Sequence, residues 1–121
     1  MRHVLTGFAA AVLFATPALA HPKLVSATPD AEAKVAAGPK TLTLTFSEKL
    51  VAPLSGAELT MLPMPGMGPH RIPATAKVGD DGSSLVLTLA RPLPRGSYRV
   101  DWHVVSTDTH RVTGSYTITV G

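Results

Sequence analysis

From Thr41 to Phe46 apolar and polar side chains alternate without a break, with Leu42, Leu44 and Phe46 on one face and Thr41, Thr43 and Thr45 on the other. A period of two predicts a strand with one buried and one wet face. The pattern returns over residues 85–89, where Leu85, Leu87 and Leu89 face inward. Over residues 97–105 it sets Tyr98, Val100, Trp102 and Val104 against Arg99, Asp101 and His103. Over residues 114–120 the inward set is Tyr116, Ile118 and Val120. Fainter alternation predicts further strands at residues 23–27, 57–62 and 72–78.

Turn chemistry punctuates these runs. Gly79-Asp80-Asp81-Gly82 is a hairpin signal, and Pro92, Pro94 and Gly96 mark another turn before the Tyr98 strand. Residues 31–37 have room for a single helical turn, and no amphipathic helix is visible elsewhere. About seven short strands in a domain of roughly 100 residues predict an all-β fold, an antiparallel Greek-key β-sandwich or small barrel.

The first twenty residues read differently. Arg2 gives a short basic start, residues 5–13 are mostly apolar, and Ala18-Leu19-Ala20 is an A-x-A cleavage site, which together predict a signal peptide. Its apolar core is shorter than the roughly 20 residues a membrane span needs. Cleavage after Ala20 leaves residues 21–121 as one exported, soluble domain beginning at His21.

Charge narrows the partners only by exclusion. The formal net charge is +3, and the basic residues are scattered without runs or interleaved aromatics, so nucleic acid is set aside. The chain has no cysteine. An exported domain of this size without disulfides holds together by core packing, and without thiols any metal must use other donors.

Two groups of donors stand out. Cleavage would give His21 a free amine beside its imidazole, a chelating pair that loses its protons to a divalent metal at modest cost near neutral pH. Pro22 has no backbone N–H for the metal to displace, so further ligands must come from elsewhere in the fold. Asp108 and His110, two apart in Ser106-Thr107-Asp108-Thr109-His110, lie in the loop between the last two strands and can converge on one ion. Nitrogen and oxygen donors in a tetragonal set favour Cu(II). Glu48, just after the Thr41 strand, can add an oxygen or orient a ligand. Taken singly, Asp108 reads as a turn residue and His110 as a solvated histidine. His103 reads as a surface residue and Trp102 as part of the core.

The second group is Met61-Leu62-Pro63-Met64-Pro65-Gly66-Met67-Gly68-Pro69-His70, which holds every methionine after Met1. Its prolines and glycines exclude a helix, and a spacing of three does not suit one face of a strand. The segment is expected to be an irregular loop presenting thioethers, or a hydrophobic flap resting on the sheet. Uncharged sulfurs are soft donors suited to Cu(I), and the His70 imidazole would complete a site with Met61, Met64 and Met67.

With His21-Pro22-Lys23-Leu24, Phe46-Ser47-Glu48, the Met61 to His70 segment, Val100-Asp101-Trp102 and the Ser106 to His110 loop followed by Gly114, the chain resembles the CopC family of periplasmic copper-resistance proteins. The resemblance implies an immunoglobulin-like, cupredoxin-like β-barrel in the periplasm, a monomer, with a CopD-like protein of the inner membrane as partner. It implies Cu(II) ligation by His21, Glu48, Asp108 and His110, and Cu(I) ligation by Met61, Met64, Met67 and His70. The chain departs from the fuller family pattern in one place: His70 stands three residues after Met67 rather than two, and Ile72-Pro73 replaces a final methionine.

The expected function is a copper carrier or buffer without catalysis. The rival is a copper oxidase or monooxygenase, because an N-terminal histidine with a second imidazole resembles a histidine brace. Against it, Asp108 and Glu48 would occupy positions that oxygen needs, and no flat aromatic platform for a substrate is visible. A plain adhesion or structural β-domain would leave the clustered methionines and His21 unexplained.

Overall fold

A computed structural model describes residues 21–121. The predicted signal peptide, residues 1–20, lies outside the described residues. The chain runs β1 (Leu24–Thr28), β2 (Lys34–Val35), β3 (Thr41–Phe46), a single 3-10 turn (Ala52–Leu54), β4 (Gly56–Met61), β5 (His70–Ile72), β6 (Ala74–Val78), β7 (Ser84–Leu89), β8 (Gly96–Val105) and β9 (Arg111–Val120). Two sheets face each other, one in the order β1-β3-β7-β6 and the other β2-β9-β8-β4-β5. This is the all-β sandwich the alternation predicts.

The inward sets meet as expected. Leu42, Leu44 and Phe46 of β3 and Leu85, Leu87 and Leu89 of β7 pack against Leu59, Tyr98, Val100, Trp102, Val104, Tyr116 and Ile118 from the other sheet, all buried. Each such side chain contributes about 1.5–3 kcal/mol on leaving water, which is how a domain without disulfides stays folded. Trp102 packs edge-on against Phe46, ring centroids 5.0 Å apart. His103, on the outer face, lies half-exposed over Gly56.

Three expectations are corrected. The helical turn offered for residues 31–37 does not form. A turn at Ala31 and Glu32 leads into β2, which pairs parallel to β9 through Thr119 N–H to Ala33 and Gly121 N–H to Val35. The Glu32 carboxylate accepts from Thr117, fixing this crossover at the sheet edge. The strand expected over 72–78 is two strands in different sheets, because Pro73 has no N–H to continue a ladder and turns the chain over the corner. With β2 and the divided strand, the described residues form nine strands where about seven were expected.

β8 crosses the whole sandwich, so its ends define two poles about 30 Å apart at the rise of a β-strand. Gly96 lies at one, beside the methionine segment, and Val105 at the other, beside the Ser106 to His110 loop.

Candidate metal centres

At the Val105 pole two short segments close on one another. Ser106 N–H donates to the His110 carbonyl at 2.9 Å and Thr109 N–H to the Ser106 carbonyl at 2.8 Å, so residues 106–110 form a tight loop between β8 and β9. Thr109 takes a positive φ of 74° to close it. Thr107 N–H donates to the Lys49 carbonyl, and Leu50 bridges Ser106, which ties this loop to the segment after β3. Ser47 in turn binds the amino-terminal segment: Lys23 N–H donates to Ser47 Oγ, and Ser47 N–H to the Lys23 carbonyl, both at 2.9 Å. Pro22 is buried beside it.

These contacts bring His21 onto His110, ring centroids 4.7 Å apart and nearly perpendicular. His110 Nδ1 lies 3.2 Å from Asp108 Oδ1. The two atoms are not aligned as donor and acceptor, and this buried nitrogen has no hydrogen-bond partner. Such an orphan is costly unless something else engages it. Two donors each about 2 Å from one ion and at right angles to it stand about 3 Å apart, so the spacing suits a shared metal. A hydrogen bond from Ser106 Oγ, and then the adjacent His110 ring, hold the Asp108 carboxyl below its ordinary range, which keeps it an anion. Glu48 is half-buried one residue beyond Ser47. Among the described residues, no three His, Asp or Glu side chains form a cage for an ion unaided.

At the opposite pole the methionine segment is the loop that joins β4 to β5, with a tight turn at its tip. Met61 ends β4 and pairs directly with His70, which begins β5. Beyond them Met64 and Met67 exchange backbone hydrogen bonds of 2.9 and 2.8 Å. Pro65 and Gly66 fill the corner, Gly66 at φ +78°, the left-handed value that position i+2 of a type II turn demands. Met61 and His70 are thus the last cross-strand pair of the β4–β5 hairpin, and Met64 and Met67 form an isolated bridge inside the connecting loop, residues 62–69, which lies outside the strands as expected. Directly opposed residues share a face, which brings Met64 beside Met67. A Cβ on Gly96 would stand 2.7 Å from the Met61 methyl and 3.7 Å from Met64 Sδ, so those side chains share one notch. Exposure then divides the sulfurs: Met61 is buried, Met64 partly buried against the core, and Met67 half-exposed.

Two residues that organise these centres escaped the sequence reading. Ser106 is 1% exposed and holds Asp108 and the His110 backbone. Ser47 anchors the amino-terminal segment. The signal for Ser106 was present, since a serine two residues before an aspartate often bonds within its own turn. Ser47 acts across the sheet and left no local pattern.

Comparison with known proteins agrees with this architecture. The family model described as "CopC domain" matches residues 24–121. "Copper resistance protein C" of Escherichia coli is 52% identical over 106 residues, covering 85% of this chain and 83% of that protein. "Copper resistance protein C" of Pseudomonas syringae pv. tomato is 50% identical over 117 residues, covering 95% and 92%. Among solved structures, PcoC, described as a methionine-rich copper resistance protein from Escherichia coli, superimposes with a TM-score of 0.77 at 48% identity. It covers 84% of this chain and 100% of its own. With a family model matching most of its length and relatives at half identity over nearly all of it, the chain belongs to the CopC family.

Proposed function

We propose that this protein carries or sequesters copper in the periplasm, holding Cu(II) at the Val105 pole and Cu(I) at the Gly96 pole of the sandwich. As a CopC-family member it is a copper-binding protein of the copper-resistance class and not an enzyme. Signal cleavage after Ala20 frees the His21 amine, which with its imidazole, His110 and Asp108 supplies a nitrogen and oxygen set of the kind Cu(II) prefers. Glu48 adds an oxygen or orients a ligand. The observation that carries this reading is the meeting of His21 with His110 while His110 Nδ1 stands buried and unpaired beside an ionised Asp108.

Met61, Met64, Met67 and His70 form the Cu(I) site, with neutral sulfurs that bind the soft ion and leave harder ions alone. Two poles of different softness let one small domain hold both oxidation states and pass each on separately. The protein acts as a monomer and hands copper to a CopD-like protein of the inner membrane.

The test is a Cu(II) titration of protein beginning at His21, followed by Trp102 fluorescence and electron paramagnetic resonance, beside a variant with one added glycine before His21. One tight tetragonal Cu(II) in the first and none in the second is the expected result. Equal binding by both would remove the amine from the site.

A further inference from the structure

The two poles differ in charge as well as in donors. The Gly96 pole is built from residues 34–41, 61–71, 89–97 and 119–121, which carry Lys34, Lys40, Arg71, Arg91 and Arg95 and no aspartate or glutamate, with Gly121 beside Arg95. All five cations are exposed. Arg71 is paired with Glu58 at 3.0 Å, while among the described residues Lys34, Lys40, Arg91 and Arg95 make no ion pair. The Val105 pole is built from residues 21–23, 47–55, 79–83 and 106–110, which hold Glu48, Asp80, Asp81 and Asp108 against Lys23 and Lys49. Nearer the middle, Glu32 is engaged by Thr117 and Asp101 by Arg99.

The topology spreads the basic residues around the methionine hairpin instead of along one face. Lys34 and Arg95 flank Met64 in an open hollow of about 480 Å³, together with Pro63, Ser97 and the chain end at Gly121. Arg91 borders a separate apolar groove formed by Ile72, Pro73, Leu89 and Leu93. Lys40 leads into β3, its carbonyl accepting from Leu89 N–H. The hairpin tip in their midst exposes Pro63, Pro65, Met67 and Pro69, with Met67 50% exposed.

We propose that this pole docks on an anionic phospholipid surface, with the hairpin tip at headgroup level and the cations around it in contact with lipid phosphates. A ring of cations about a small apolar tip is the arrangement by which soluble domains hold to charged membranes, where each Lys or Arg adds to the attraction. A protein partner fits these observations less well. Protein interfaces are anchored by aromatic side chains and keyed by mixed charges. The pole's segments have no tyrosine, tryptophan or phenylalanine, Tyr98 next to them is buried, and they have no aspartate or glutamate to set a register. A fluid surface of one sign needs neither. Nothing in this docking requires copper to be bound.

The test is co-sedimentation of protein beginning at His21, which contains the whole sandwich and lacks the apolar leader, with phosphatidylcholine vesicles and with vesicles in which phosphatidylglycerol replaces a third of the lipid. Partitioning onto the anionic vesicles at least tenfold above the neutral ones is expected at low salt. It should be lost as salt shortens the Debye length from about 10 Å to about 3 Å. Arg91→Glu with Arg95→Glu should lower partitioning at least tenfold, whereas Lys23→Glu with Lys77→Glu, an equal change of charge away from this pole, should keep it within twofold. Trp102 fluorescence reports that both variants are folded. Equal partitioning onto neutral vesicles, none at low salt, or equal losses from the two double variants would overturn the proposal. So would retention by an acidic protein without any vesicle binding.

Discussion

The imidazoles of His21 and His110 stand edge to face, 4.7 Å between centroids, although one precedes the first strand and the other the last. Neither ring meets the other through local sequence. Ser47 holds the segment carrying His21, and Ser106 holds the loop carrying His110. The Leu50 and Ser106 bridge then joins those two supports. This centre is a product of sheet pairing, and its components should respond separately to substitution.

His110→Ala is expected to lower Cu(II) affinity at least about 100-fold, more than the 10–100-fold typical of losing an outer partner of a ligand, and to leave Cu(I) binding within twofold. Ser106→Ala, which removes that outer partner from Asp108, should cost about tenfold in Cu(II) affinity. Competition titrations with chelators for each oxidation state check both. Equal losses of Cu(I) affinity would contradict two separate centres.

The three sulfurs should part company in stability measurements. Met61→Ala opens a cavity in the core and is expected to cost about 2–5 kcal/mol in urea unfolding. Met67→Ala, at the exposed tip, should change stability by no more than about 0.5 kcal/mol. Both should weaken Cu(I) binding, so Met67 gives the cleaner measure of ligation.

Gly114 faces Trp102 across the β8–β9 pair, and a Cβ there would stand 2.2 Å from the indole. Gly114→Ala must push the ring aside, at a cost of about 1–3 kcal/mol for an overpacked core. Urea unfolding followed by Trp102 fluorescence should show a lower midpoint with an unchanged slope.

Burial pushes the Tyr116 phenol up to about 12, and Tyr98 is raised for the same reason. The unfolded chain ionises its tyrosines near pH 10. A folded value above the unfolded one means the contribution is fully present below about pH 10 and is lost as pH rises toward about 12. Tyrosinate absorbance should therefore rise together with loss of circular dichroism in that window. Tyrosinate forming while the fold stays intact would contradict the burial.

Much of the fold was legible in the chain because alternation is a local signal. The Leu42, Leu44, Phe46 set and the Tyr98 to Val104 set each declared an inward face, and the structure buries both. The residues between 31 and 37 were not legible in the same way. Their alanines permit a helical turn, and only the bonds to Thr119 and Gly121 make Lys34–Val35 a strand. Pro73 was visible as a break, but that the break separates two sheets depends on where β4 and β7 lie.

By itself the sequence determined the strand faces, the chemistry of the donors and the order in which they occur, since each depends on side-chain type and spacing along the chain. Tertiary structure alone decided that His21 meets His110, that Met61 opposes His70 with Met64 against Met67, and that uncompensated cations collect around the hairpin. These are long-range outcomes of register: a strand's pairing fixes which distant residue stands opposite, and spacing along one segment carries no information about its partner.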